Sequence, residues 1–208
     1  MTMTENRPAS ASDAARRAMI DSQLRTSGVN EPAVLAAMAR VPREDFVPEA
    51  ARAAAYIDRA VPLGNGRYLA APLFHGRLLS EAAPTLADRA LLVGDGDGYL
   101  AALLRPMVGT LDAVAPADAA KKRKTGPYTL IVVDGAAEEL PAALAAQLAE
   151  DGRILTGTVS RGVTRLAIGR RVGDAIGRPV GDAIPLQPLA EMGIPVLAEF
   201  AAPKRWSF

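Results

Sequence analysis

No cysteine occurs in the chain, which excludes disulfides, thiolate metal sites and cysteine nucleophiles. A single histidine, His75, makes a multi-histidine metal centre impossible. Aromatic residues are only 4% of the sequence while half of it is hydrophobic, so the core must be built from Ala, Leu and Val. Charge of one sign is also lacking: 24 basic against 23 acidic residues leave a formal net charge of +1. That balance gives no general electrostatic case for a nucleic-acid or membrane partner. No stretch approaches about 18 uninterrupted apolar residues, the length a bilayer span requires. The polar start, MTMTENRPASASD, has no apolar run of the signal-peptide kind. A soluble, cytoplasmic protein is the expectation. What remains is 208 residues, enough for one α/β domain with an appendage.

Residues 1–12 read as a disordered lead-in. Asp13 can cap a helix from Ala14 to about Thr26, ended by Gly28, and Asn30 a second one, with Pro32 in its first turn. The stretch 41–72 is rich in proline and glycine and is expected to wind over a surface, before a helix from Phe74 to Ala83. From Arg89 the texture changes to strands at 90–93, 110–115, 128–133 and 153–159, with helices at 98–105 and 139–149. Such alternation predicts a mainly parallel sheet with helices on its faces. "VSRGV" at 159–163 reads as a hairpin turn. The pentapeptide VGDAI occurs at 172–176 and 180–184 and reads as a local duplication lengthening a hairpin, since two copies do not make a solenoid. A last strand is expected near 195–201, followed by Trp206 and Phe208, which read as packing residues.

"LLVGDGDGYLAALL" at 91–104 is a buried strand running into a glycine loop and then a helix, the form of a ligand cradle. Gly94, Gly96 and Gly98 are spaced G-x-G-x-G. A dinucleotide fold wants G-x-G-x-x-G, and Tyr99 stands where its third glycine should be. A sharp strand-to-helix turn needing glycine for geometry alone is the competing reading. D-G-D-G suggests calcium, but a third ligand at the right spacing and a distal Glu are missing. Asp134 and Gly135 fall at the carboxyl end of a central strand, where open α/β sheets bind ligands. Asp134 is the candidate polar site residue, with a cap for the following helix as the alternative.

The N-terminal half resembles the protein-L-isoaspartate (D-aspartate) O-methyltransferase family. The residues that carry this are Met19-Ile20, Gln23-Leu24, Gly28-Val29, Val34-Leu35 with Ala37-Met38, "VPREDFVP", "AYIDRAVPLGNG" and Pro72. The glycine loop follows in its expected place, and "GPYTLIVVDGAAEELPAALAAQLAEDGRI" (126–154) is similar to the family's later strand–helix–strand unit. The resemblance spans about residues 16–159. It implies S-adenosyl-L-methionine as cofactor, held by the glycine loop of Gly94, Gly96 and Gly98 with Asp134 as the candidate beside it, and methylation of isoaspartyl carboxylates in damaged proteins or peptides. It implies no metal.

Against that family pattern, the features that hold the two substrates are altered. Ala70 replaces the serine of the acceptor loop, in Tyr68-Leu69-Ala70-Ala71-Pro72, and Tyr68, at the family's threonine position, either contributes a hydroxyl from a different distance or packs beside Leu69, the reading preferred. Pro116 replaces the acid that grips the ribose, with Asp112 and Asp118 lying before and beyond it. Leu92 replaces an acid near the first glycine. Asp95 and Asp97 suit a helix start, repel a carboxylate and attract a cation. Between the second strand and Pro127 only ADAAKKRKTGP remains, whereas a βαβ unit needs about 30 residues, so the third strand cannot fit.

The fold expected is therefore α/β: a Rossmann-like class I methyltransferase sheet lacking the third strand, with a helical N-terminal extension. Its parts would be the lead-in at 1–12, the extension and acceptor loop at 13–84, and the core with C-terminal hairpin strands at 85–208. The activity expected is that of the family on an eroded site, with no catalytic residue assigned and His75 read as structural. The alternative is a non-catalytic pseudo-methyltransferase acting as a scaffold. KKRK at 121–124 reads as a solvated loop rather than a nucleic-acid contact. Loss of the third strand exposes the edge strand with Leu111 and Val114, which a second copy of the chain would cover.

Overall fold

The structure is a computed structural model that describes residues 11–121, 125–171 and 184–202. α1 (Ala11–Met19) starts two residues inside the expected lead-in and continues as a π-helical turn at Ile20–Leu24 and a 3-10 turn at Arg25–Ser27. Gly28, at φ 86°, closes it in the left-handed conformation that glycine adopts freely. α2 (Pro32–Arg40) starts with Pro32 in its first turn and Glu31 at the cap, so Asn30 is not the cap. Within 41–72 two 3-10 turns, Arg43–Phe46 and Glu49–Ala54, lead into the hairpin β1 (Val61–Gly64) and β2 (Arg67–Leu69). Asn65 and Gly66, at φ 52° and 72°, make the Asn-Gly turn that such a hairpin favours. α3 (Pro72–Ala82) follows, its Leu73 N–H bonded to Asp58 Oδ1 at 3.1 Å.

The main sheet is built from β3 (Arg89–Val93), β4 (Thr110–Val114), β5 (Tyr128–Ala137), β6 (Leu148–Ser160), β7 (Val163–Arg170) and β8 (Leu186–Glu191). Its order is β4-β3-β5-β6-β7-β8, with the first three pairings parallel and the last two antiparallel. Among the described residues β4 is an edge, and no strand lies beyond it. α4 (Tyr99–Leu104) connects β3 to β4, and α5 (Ala142–Ala145) connects β5 to β6. The helix expected at 139–149 shrinks to α5 because β5 runs on to Ala137 and β6 begins at Leu148. The strand expected near 195–201 is instead β8, followed by a single bridge from Val196 to Ala136 and a 3-10 turn at Ala198–Phe200. The VGDAI pair, apart from Ile184, and Trp206 and Phe208 lie outside the described residues. No helix among the described residues is long and apolar enough to cross a membrane.

Two cores flank the sheet. One joins α1–α4 to Ala90, Leu92, Leu130 and Val132; the other joins Leu91, Val93, Val114, Ile131 and Val133 to Leu144, Ala119 and Phe200. The alternation is that of strands buried on both faces. Val114 is thus covered from within the chain, contrary to the exposure expected of it, and Leu111 is half-buried against the first core. At the amino edge Arg153 on β6 forms a bidentate pair with Asp88, at 3.0 and 2.8 Å.

Candidate functional site

The register decides what meets at the carboxyl edge. Val93 pairs with both Val114 and Val133, so Gly94, Ala115 and Asp134 leave the sheet side by side. A Cβ on Gly94 would lie 3.0 Å from Asp134 Cβ. Next to this point β5 bulges: from Val132 to Ala136 it takes four steps while β6 takes two, from Leu155 to Gly157. Gly135 sits in the bulge at φ 156°, and a Cβ there would fall 2.6 Å from Leu197 Cγ. Bulges of this kind re-aim a side chain, here Asp134. Its carboxylate is no helix cap, because α5 starts at Ala142 with no side-chain cap bond. Instead Asp134 Oδ1 meets His75 Nε2 at 2.9 Å.

His75 is fully buried near the start of α3, and so is Arg43, which stands 3.2 Å from His75 Nδ1 through NH1. Arg43 Nε donates to Ala55 O at 2.6 Å and NH2 to Ala70 O, and the guanidinium stacks 4.9 Å from the centre of the Tyr99 ring. Burial lowers the Arg43 pKa, with Tyr99, Asp134, Tyr56 and Asp58 acting the other way. Burial also raises the Tyr99 phenol, whose OH has no hydrogen-bond partner among the described residues. Nearby, Tyr56 donates to Glu44 and accepts from Arg16 Nε at 2.9 Å; burial and then the bond to Glu44 push it up to about 12.

The glycine loop packs on its own surroundings. A Cβ on Gly96 would lie 3.0 Å from Ala113 Cβ, and one on Gly98 2.9 Å from Asp95 Cβ, so each glycine is needed for space. Asp95 reaches Arg67 of the β1–β2 hairpin at 3.7 Å. Pro116 opens a 3-10 turn through Asp118, which pairs with Lys121 at 2.5 Å. Asp112 accepts from Tyr128 OH at 2.8 Å, beside the second core. The C-terminal segment crosses this edge: Ala136 N–H donates to Pro195 O at 2.8 Å, and the 198–200 turn touches the 116–118 turn. On the other side of α3's first turn a cleft of about 430 Å³ is lined by Asp58, Tyr68, Ala71, Phe74, Met192 and Ile194. Tyr68 is 51% exposed rather than packed, while Ala70 is buried.

Comparison with known proteins identifies the family. The family model for protein-L-isoaspartate (D-aspartate) O-methyltransferase matches residues 14–122. A protein-L-isoaspartate O-methyltransferase 2 of Anaeromyxobacter sp. (strain Fw109-5) is 33% identical over 178 residues, covering 74% of this chain and 73% of its own. The chain belongs to the protein-L-isoaspartate O-methyltransferase family. Another relative, from Roseiflexus castenholzii, is 35% identical over 186 residues, 76% of this chain and 84% of that one. The fold matches a solved structure from Plasmodium falciparum described as a protein-L-isoaspartate O-methyltransferase in complex with S-adenosyl-L-homocysteine. The TM-score is 0.68 at 18% identity, over 90% of this chain and 98% of that one.

Of the residues singled out from the sequence of this family member, Gly94 and Asp134 come together and Gly96 and Gly98 shape the same loop. The reading of His75 as merely structural missed its bond to Asp134. Arg43 was missed as well. In "VPREDFVP" it stands first in the charged run Arg43-Glu44-Asp45, which reads as solvated, and only burial of the motif makes it a cation that must find acceptors.

Proposed function

We propose that this family member binds S-adenosylmethionine weakly at the carboxyl edge and takes the isoaspartyl carboxylates of damaged proteins as its acceptor class. The observation that carries this is Asp134 beside Gly94, with one oxygen bound to His75 and Oδ2 without a partner among the described residues. A carboxylate open on one side fits the cationic amino-acid end of the cofactor, as do Asp95 and Asp97 on the loop. When bound, the cofactor supplies a methyl group on a sulfonium, which an acceptor carboxylate attacks without further activation. The protein's part is to hold the two in line and keep water out. The cleft bounded by Tyr68, Ala71 and Phe74 is the acceptor side, since α3 supplies both Phe74 to the cleft and His75 to Asp134.

The adenosine end fits less well. Pro116 offers the ribose no acceptor, Asp112 is engaged with Tyr128, and Asp118 with Lys121. Ala70 brings no hydroxyl to the acceptor loop, and its carbonyl is held by Arg43. These four residues support the eroded-site reading, and a non-catalytic scaffold is its limiting case. A cytoplasmic location belongs to the same reading. The open edge of β4 suits a second copy of the chain as a partner.

Calorimetry with S-adenosylmethionine should find no dissociation constant tighter than about 1 mM, or roughly 4 kcal/mol. An isoaspartyl peptide with labelled cofactor should give methyl ester at or near background. Clear turnover would overturn the erosion, and turnover indifferent to Gly96→Val would show the site to be misplaced.

A further inference from the structure

We infer that Arg43 and His75 are positioning residues that fix the direction of Asp134 toward the cofactor's cationic end. This rests on the functional reading above. An arginine can only donate hydrogen bonds. Arg43 NH1 stands 3.2 Å from His75 Nδ1, so Nδ1 must accept, and the ring proton belongs on Nε2. Nε2 then donates to Asp134 Oδ1 at 2.9 Å. One geometry therefore dictates one tautomer of a neutral imidazole, with a cation at one end and a carboxylate at the other.

The ring has little freedom to do otherwise. It is fully buried, with the Phe74 and Tyr99 rings at 5.6 and 5.5 Å and Phe46 edge-on to Tyr99. The charged and titratable groups facing this assembly are Arg43, Asp134, Tyr99, Tyr56 and Asp58. Asp58 Oδ1 already accepts from Leu73 N–H, and Tyr56 OH accepts from the Arg43 backbone N–H at 3.3 Å. A relay built for stability alone would set the guanidinium directly on the carboxylate. Interposing an imidazole holds Asp134 by one oxygen and keeps the cation a ring's width away. The second oxygen is thus left for the ligand edge, where the Asp134 side chain is 18% exposed.

Because the chain has one histidine, nitrogen-15 labelling of histidine reports a single imidazole. In the wild type at neutral pH its two ring nitrogens should show the Nε2–H tautomer, and Arg43→Met should introduce the Nδ1–H form. The same spectra, titrated with S-adenosylmethionine and with 5′-methylthioadenosine, which lacks the amino-acid end, measure binding in the weak range. Asp134→Asn and His75→Leu should each weaken S-adenosylmethionine by about tenfold and leave 5′-methylthioadenosine unchanged, read from backbone amide shifts. His75→Gln, which keeps a donor for Asp134, should recover most of the loss. A wild type that binds neither ligand overturns the cofactor reading and this inference with it. Binding that ignores Asp134→Asn and His75→Leu, or a wild-type imidazole protonated on Nδ1, overturns this inference alone.

Discussion

The parallel strands of the sheet meet an arginine and a carboxylate at both ends, and the two ends use them differently. At the amino edge Arg153 lies directly on Asp88 and also donates to Ala82 O at 2.6 Å and Ala83 O at 3.0 Å. Asp88 further accepts from Thr129 Oγ1 and the Thr85 N–H, both at 2.8 Å, so both its oxygens are shared. At the carboxyl edge Arg43 reaches Asp134 through His75, and among the described residues Oδ2 has no partner. The first arrangement is closed and can only hold β6 to the segment before β3. The second is held on one side and open on the other, which is what a ligand site requires. The difference lies in connection, since both arginines are mostly buried.

The same substitution made at each edge should separate them most. Asp88→Asn leaves Arg153 a buried charge without its carboxylate, and urea unfolding should show a loss of about 3–5 kcal/mol. Acid should find the same pair. Burial opposes ionisation of Asp88, but bonds from Arg153, Thr129 and Thr85 outweigh it and hold its pKa down at about 2, against an ordinary 3.8. A carboxyl depressed by folding stabilises above its unfolded value, so about 2 kcal/mol should be full above pH 3.8 and lost as pH falls toward 2. Stability against pH in wild type and Asp88→Asn checks this, the variant lacking that component. Asp134→Asn keeps an acceptor for His75 and should cost less than about 1 kcal/mol. Should the two Asn variants cost the same, the contrast between edges is broken. Last comes Leu111→Lys on the edge strand β4, where Leu111 pairs with Ala90 of β3. The lysine stem can lie along the half-buried surface with its ammonium in water, so stability should fall by less than about 1 kcal/mol, while the proposed dimer should shift toward monomer in sedimentation at micromolar concentration.

The strand–helix alternation was legible because buried strands and glycine turns are local signals, and β3, α4 and β4 fall within a residue or two of where these put them. The absence of a third strand was legible by length alone, since eleven residues from Ala117 to Pro127 can cross from β4 to β5 but cannot hold another strand and its helices. The extension of β5 was not. Asp134-Gly135 reads as a strand end, and only pairing with β6 and Val196 turns it into a bulge. Nor was the relay, whose members lie 32 and 59 residues apart and meet only when the N-terminal extension docks. The segment 195–201 has the apolar look of a strand, but Phe200 is drawn into the second core after one bridge.

That C-terminal crossing has a consequence for synthesis. A ribosome delivers β3, β4 and β5 well before Pro195 to Phe200, so the nascent sheet stands for a time with Val93, Val114 and Val133 lacking the ring that joins their cluster. During that interval the uncovered valines are the natural place for a chaperone to bind or for two nascent chains to stick. A chain halted before Leu197 would keep that vulnerability for good.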